Sequence, residues 1–254
     1  MFAQLIAQLG PAPVVDMAHA LGIRSDLPEV CAITLGSVAV NPLEMTNAYA
    51  TIADQGERHW ATPLLQVKTD GQIDDSVTSP GESVLDAGDA DLVTYALQGV
   101  VREGTGTAAA ISGFPVAGKT GTANENVDAW FCGYTVQIAT CVWMGYPQGE
   151  IPLENVEGVP SVYGGTIPAA IWHDFMTIAM EGQTPESFPV PSFDGHSVGP
   201  SVVVSSPTPS PIPSATPSET PSPTPKPTHT PLPTPSPTTT PSPTSTPSPT
   251  PSPP

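Results

Sequence analysis

The apolar residues at the amino end, Phe2, Leu5, Ile6 and Leu9, fall at helical spacing with no capping residue in front of them. A second helix is expected from about Pro13 to Leu21, stopped by Gly22, and a third from Pro42, capped by Asn41, to about Asp54 before Gly56. The period then changes: residues 64–73 read as a hairpin turning at Asp70-Gly71. Asp89 or Asp91 starts a further helix, whose stripe is Leu92, Val93, Ala96, Leu97, Val100 and Val101 and which Gly104 ends. Three strands follow at about 116–122, 129–135 and 138–146, with tight turns that make the last two antiparallel neighbours. Gly164-Gly165 breaks the chain before a final helix from Pro168 to about Met180, with Ile171, Phe175 and Ile178 on its inner side. Helices, an antiparallel meander and a closing helix predict an α+β fold in which an antiparallel sheet packs against helices.

Composition sets where that fold ends. From Ser205 onward twenty of the fifty residues are Pro, and nearly all the rest are Ser or Thr. Such a segment has too little apolar surface to offset its ordering entropy, so it is expected to stay extended and disordered. The expected organisation is a folded part over 1–182, a linker over 183–204 and a Pro/Ser/Thr-rich tail over 205–254, a spacer in character. The chain holds 6 Lys and Arg against 24 Asp and Glu, a net charge of −18. With no basic stripe it is not expected to bind nucleic acid. No apolar run reaches the roughly 18 to 20 residues of a membrane span, and no charged start with an apolar core marks a secretion signal. If the protein works outside the membrane, its export information is expected upstream of Met1.

The three cysteines, Cys31, Cys132 and Cys141, and the five His show no metal-ligand spacing, so no metal or other cofactor is expected. Cys132 and Cys141 would face each other across a hairpin turning at Val136-Gln137, which makes a cross-strand disulfide geometrically conceivable; the expected reading is a pair of small apolar fillers. Asp128 reads as a turn or capping residue, and Trp130, Phe131, Trp143 and Tyr146 as core or sheet-face residues. His173 on the last helix, and Glu154 and Glu157 in a Gly/Pro-punctuated loop, are assigned no chemistry.

Candidate chemistry concentrates in "GFPVAGKTGTANENVDAW", residues 113–130. Gly113, Gly118, Lys119 and Thr120 satisfy the spacing of a phosphate-cradling loop, but that device needs a helix whose amino end points at the phosphates. Here a turn-forming run, 121–126, leads instead into strand-like Ala129-Trp130-Phe131. On a strand, Lys119 and Gly121 share one face, and the absent side chain lets a ligand's backbone lie close. Thr120 and Thr122 supply hydroxyls suited to a carboxylate, and an exposed edge N–H suits a developing oxyanion.

The run from Val100 to Gly149, with "NPLEMTNAYATIADQG" before it and "GGTIPAAIWHDFM" after it, resembles the penicillin-binding protein transpeptidase domain over about residues 1–182, most of all the C-terminal half of the class A, bifunctional type. The resemblance implies part of a serine β-lactamase/transpeptidase-like fold on the extracytoplasmic face of a bacterial cell envelope, with a membrane anchor of the parent chain expected upstream of Met1. In that family a serine of S-x-x-K attacks the D-Ala-D-Ala amide of a peptidoglycan stem peptide, and an amine of a neighbouring stem resolves the acyl-enzyme; β-lactams acylate the same serine. Carried over, Lys119 and Thr122 are the catalytic candidates and Thr120, Gly121 and Thr122 the substrate-binding ones. Lys119 would bond the serine of the middle S-x-N motif, Thr120 and Thr122 the terminal carboxylate, and the Thr122 N–H would join the oxyanion hole.

Two of the family's three motifs are absent. Three positions before Lys68, Lys119 and Lys226 stand Leu65, Val116 and Pro223, so no S-x-x-K exists, and no Asn has a Ser two places before it. The nucleophile is expected upstream of Met1, and the isolated chain is expected to be inactive. The family fold also places two N-terminal strands beside the strand at 138–146, whose edge would otherwise be exposed. Two alternatives are a fragment of a serine β-lactamase relative and a non-catalytic wall-binding or scaffold protein.

Overall fold

The computed structural model describes residues 2–77 and 79–193; the expected tail and the rest of the expected linker lie outside the described residues. Helices α1 (Phe2–Leu9), α2 (Ala12–Leu21) and α3 (Pro42–Ala53) come first. The short strands β1 (Glu57–Arg58), β2 (Gln66–Thr69), β3 (Gln72–Ser76) and β4 (Glu82–Ser83) follow, then α4 (Ala87–Arg102). The central strands are β5 (Ala117–Thr122), β6 (Asp128–Tyr134) and β7 (Ala139–Gly145), succeeded by the hairpin β8 (Glu154–Val156) and β9 (Val159–Ser161) and by α5 (Ile167–Ala179). The small ladders pair β1 with β4, β2 with β3 and β8 with β9, and the main sheet runs β5-β6-β7, all antiparallel.

Local chemistry explains the helix ends. The Asn41 side chain accepts the Leu43 N–H at 2.8 Å and Pro42 opens α3. For α4 the cap is Asp86, not Asp89 or Asp91: its carboxylate accepts the Gly88 N–H at 2.8 Å, which starts the helix a turn earlier than the sequence suggested. The buried line of α4 is accordingly Ala90, Thr94 and Val101, with Leu97 partly buried, whereas Val93 and Ala96 of the expected stripe are exposed.

Strand alternation sends the two faces of the main sheet into different cores. On one face Phe131 meets Trp172 edge-on at 5.2 Å, within a cluster that holds Val101, Ala109, Val116, Ala169, Met176 and Met180. On the other, Ala117 and Tyr134 pack with Tyr49, Ile52 and Ala53 of α3 and Leu97 of α4. Residues 183–193 return along this face: Phe188 is buried edge-on against Tyr134 at 5.6 Å, and Phe193 lies edge-on to Tyr95 at 5.3 Å.

The expected inner side of α5 is corrected. Ile171, Phe175 and Ile178 are exposed at 44%, 54% and 69%, and the buried residues are Pro168, Ala169, Trp172 and Met176. Both sets have helical spacing; the sheet face takes the one carrying Trp172, which fills the most space and donates from Nε1 to the Thr140 carbonyl at 3.1 Å.

Tyr134 makes the core sensitive to alkali. Burial pushes its phenol from an ordinary 10.0 up to about 12, opposed by the Thr94 hydroxyl, which is 2.8 Å from the phenol oxygen. Burial also raises Tyr49. The fold favours the neutral phenols, so the unfolded chain releases these protons first. Their contribution is complete below pH 10.0 and is lost as pH rises through about 12. Urea midpoints taken at about pH 9 and about pH 11 should fall with pH, and Tyr134→Phe should flatten that fall; an unchanged slope in the variant would reject the assignment.

Candidate functional site

Lys119, Thr120, Gly121 and Thr122 all lie on β5, an end strand of the main sheet; among the described residues no strand pairs with its outer side. After Lys119 the backbone stays extended through Thr122 and reaches only a single kinked turn at 124–126. The helix a phosphate loop requires is not there.

The ladder register shows what the outer side of β5 offers. The Ala123 N–H donates to the Asp128 carbonyl at 2.9 Å, so that pair belongs to the hydrogen-bonded class. Antiparallel alternation then turns the N–H and C=O of Thr120 and Thr122 away from β6, toward the open side. The Lys119 ammonium is exposed and donates to the Thr120 carbonyl at 2.8 Å. Among the described residues no ion pair involves Lys119.

The two threonine hydroxyls are held from behind. Thr120 Oγ1 lies 2.7 Å from Thr105 Oγ1, and Thr122 Oγ1 accepts the Gly164 N–H at 3.1 Å. A hydroxyl has one proton to give, and because Thr122 accepts here its proton stays available to an anion on the open side. Gly121 stands opposite Trp130, where a Cβ would come to 3.1 Å from the Trp130 Cβ, so glycine also leaves room for that ring.

Neighbouring residues rigidify the strand. Cys132 stands between Lys119 on β5 and Cys141 on β7 in one cross-strand row. The expected pair of apolar fillers is corrected: Cys132 and Cys141 form a disulfide, with Cα atoms 4.1 Å apart. The Thr135 N–H to Ile138 carbonyl bond makes 132/141 a non-hydrogen-bonded pair, the class in which side chains approach most closely. Asp128 accepts the Trp143 Nε1–H at 2.7 Å, fastening β6 to β7. Cys31 is free and exposed. Among the described residues no group of His, Cys, Asp and Glu could hold a metal ion, and no helix is long and apolar enough to cross a membrane.

Two cavities lie elsewhere, one of about 140 Å³ lined by Gly22, Arg24, Asn47 and Trp60 among others, and one of about 220 Å³ lined by residues that include Val101, Phe114 and Val116. Neither is lined by residues 117–122. The candidate site is the open edge of an end strand. It offers one cation, two outward backbone amides and two oriented hydroxyls, a set suited to a peptide carboxylate and a developing oxyanion. Sequence reasoning found the strand but missed Thr105 and Gly164, which hold it. Gly164-Gly165 was visible only as a helix breaker, and Thr105 carried no local signal.

The family described as the penicillin binding protein transpeptidase domain matches residues 27–176. Penicillin-binding protein 1A of Mycolicibacterium smegmatis is 35% identical over 222 residues, which are 79% of this chain and 28% of that protein. Its namesake in Mycobacterium tuberculosis is 33% identical over 213 residues, 75% of this chain and 26% of that protein. The solved structure of penicillin-binding protein PonA1 from Mycobacterium tuberculosis superposes with a TM-score of 0.68 at 31% identity, covering 75% of this chain and 56% of that one. The same protein in complex with penicillin V gives 0.67 at 30%. The chain thus spans roughly a quarter of the length of these curated relatives. With more than half of its residues matched by the family and a relative above 30% identity, the chain belongs to the penicillin-binding protein transpeptidase domain family.

Proposed function

We propose that this chain supplies one wall of a peptidoglycan D,D-transpeptidase site, the wall along which a stem peptide ending in D-Ala-D-Ala lies during cross-linking outside the cytoplasm. The observation that carries the reading is the open side of β5, where Thr120 and Thr122 turn their N–H and C=O groups outward beside an exposed Lys119. A peptide can add there as a further strand. Thr120 and Thr122 would take its carboxylate, Gly121 would admit its backbone, and the Thr122 N–H would face the oxyanion. Lys119 keeps the groove positive in a chain of net charge −18. The serine nucleophile belongs to an S-x-x-K that these 254 residues do not contain, so acylation needs a segment beyond them.

Titration of the ¹⁵N-labelled chain with N-acetyl-D-alanyl-D-alanine tests the reading. The amides of Lys119 to Thr122 should shift in a saturable way, and Lys119→Ala should weaken the effect about tenfold, the size of one charge-assisted contact. Shifts confined to other strands, or an undiminished response in the variant, would defeat it.

A further inference from the structure

We propose that Gly164 is a positioning residue for this site: residues 164–165 form a strap, lying on the face of β5 opposite Lys119, that sets where the Gly121–Thr122 segment stands. The proposal rests on the reading of β5 as the peptide-binding wall.

The strap lies too close to the sheet for any side chain. A Cβ on Gly164 would come 2.2 Å from the Trp130 carbonyl oxygen and 2.5 and 2.8 Å from the Gly121 oxygen and nitrogen. One on Gly165 would come 2.3 Å from the Thr105 carbonyl oxygen. These atoms are backbone, so no rotamer change relieves the clash; either the strap lifts or the Gly121–Trp130 rung moves. Gly164 is not among the glycines with positive φ, so the demand is for space and not for a left-handed backbone.

The strap also orients the threonines. The Gly164 N–H occupies a lone pair of Thr122 Oγ1, and beside it Thr105 bonds the Thr120 hydroxyl. One layer therefore backs both hydroxyls that the peptide carboxylate would meet. That layer is itself fixed, because the Thr166 hydroxyl bonds both the N–H and the carbonyl of Tyr163, while Val162 before it and Ala169 and Trp172 after it are fully buried. Packing of α5 on the sheet is thereby carried to the open side of β5. Lifting the strap would free the Thr122 hydroxyl to turn, and shifting the rung would displace its N–H.

The experiment compares wild type, Gly164→Ala, Thr105→Val and Thr105→Ser in the same N-acetyl-D-alanyl-D-alanine titration, with hydrogen exchange of the Gly121 and Trp130 amides measured without peptide. Gly164→Ala should bind about five- to tenfold more weakly, the size of one ordinary hydrogen bond, and should exchange both rung amides faster. Thr105→Val should weaken binding in the same direction without added volume, and Thr105→Ser should restore it. A folded Gly164→Ala that binds as wild type does overturns the proposal. If Gly164→Ala does not fold, equal binding by Thr105→Val and wild type overturns it. If wild type itself fails to bind, the peptide-wall reading fails, and unchanged rung exchange in Gly164→Ala then removes the strap's role as well.

Discussion

A fluorescent β-lactam is expected to leave this chain unlabelled at concentrations and times that saturate an intact family member. Acylation by a β-lactam requires an activated nucleophile, and no Ser stands three positions before any Lys in the 254 residues. Removing the nucleophile of a serine acyl-transfer enzyme costs about 10⁶ in rate, whereas one oxyanion donor is worth about 10² to 10³. The β5 wall therefore cannot compensate, however well its hydroxyls and amides are placed. Mass spectrometry of the chain after incubation gives the decision: an adduct of the β-lactam's mass on any residue would show that a nucleophile is present and that the division of roles proposed here is wrong. An unlabelled chain that still binds the D-alanyl-D-alanine peptide separates recognition from chemistry within one site.

The largest effect on stability is expected from Trp172→Ala. The indole is fully buried, meets Phe131 edge-on at 5.2 Å and donates to the Thr140 carbonyl at 3.1 Å. Truncating a buried aromatic costs about 3–5 kcal/mol, and the lost Nε1–H bond adds about 1 kcal/mol, the Thr140 carbonyl keeping its ladder partner Gly133. Against the 5–15 kcal/mol that holds a typical domain together, this removes a large part of the stability and, at the low end of that range, all of it. Loss of the near-ultraviolet circular dichroism with a broadened urea transition is the expected result. A cooperative transition with a midpoint close to wild type would mean that α5 does not anchor the sheet. Trp143→Ala provides the contrast: that ring is 39% exposed and bonded to Asp128, so its loss should cost about 1 kcal/mol.

The three central strands were legible almost to the residue, because short alternating runs separated by tight turns admit few registers. The same holds for Lys119 to Thr122, whose type and order carry the family pattern. What could not be read is instructive. Helix α5 has two apolar lines, Ile171/Phe175/Ile178 and Ala169/Trp172/Met176, with equally good periodicity, and only the shape of the sheet beneath chooses between them. The start of α4 offered Asp86, Asp89 and Asp91, and the choice depends on which carboxylate reaches a free N–H. Thr105 meets Thr120 across 15 positions, through a loop path no periodicity records. Gly164 looks like a helix breaker in sequence, and its contact with the Gly121–Trp130 rung emerges only once α5 is docked.

The bridge between Cys132 and Cys141 gives the polypeptide two covalent forms. Where glutathione and thioredoxin keep thiols reduced, a newly made chain joins its last two central strands by backbone bonds and packing alone, and the row that begins at Lys119 ends in two thiols. In an oxidising compartment the Cys132–Cys141 part of that row closes into a covalent rung, while Lys119 stays joined to it through the ladder. Preparations from the two environments are therefore different molecules at the lysine's own cross-strand neighbour, and the redox history of a sample becomes part of any affinity measured on it.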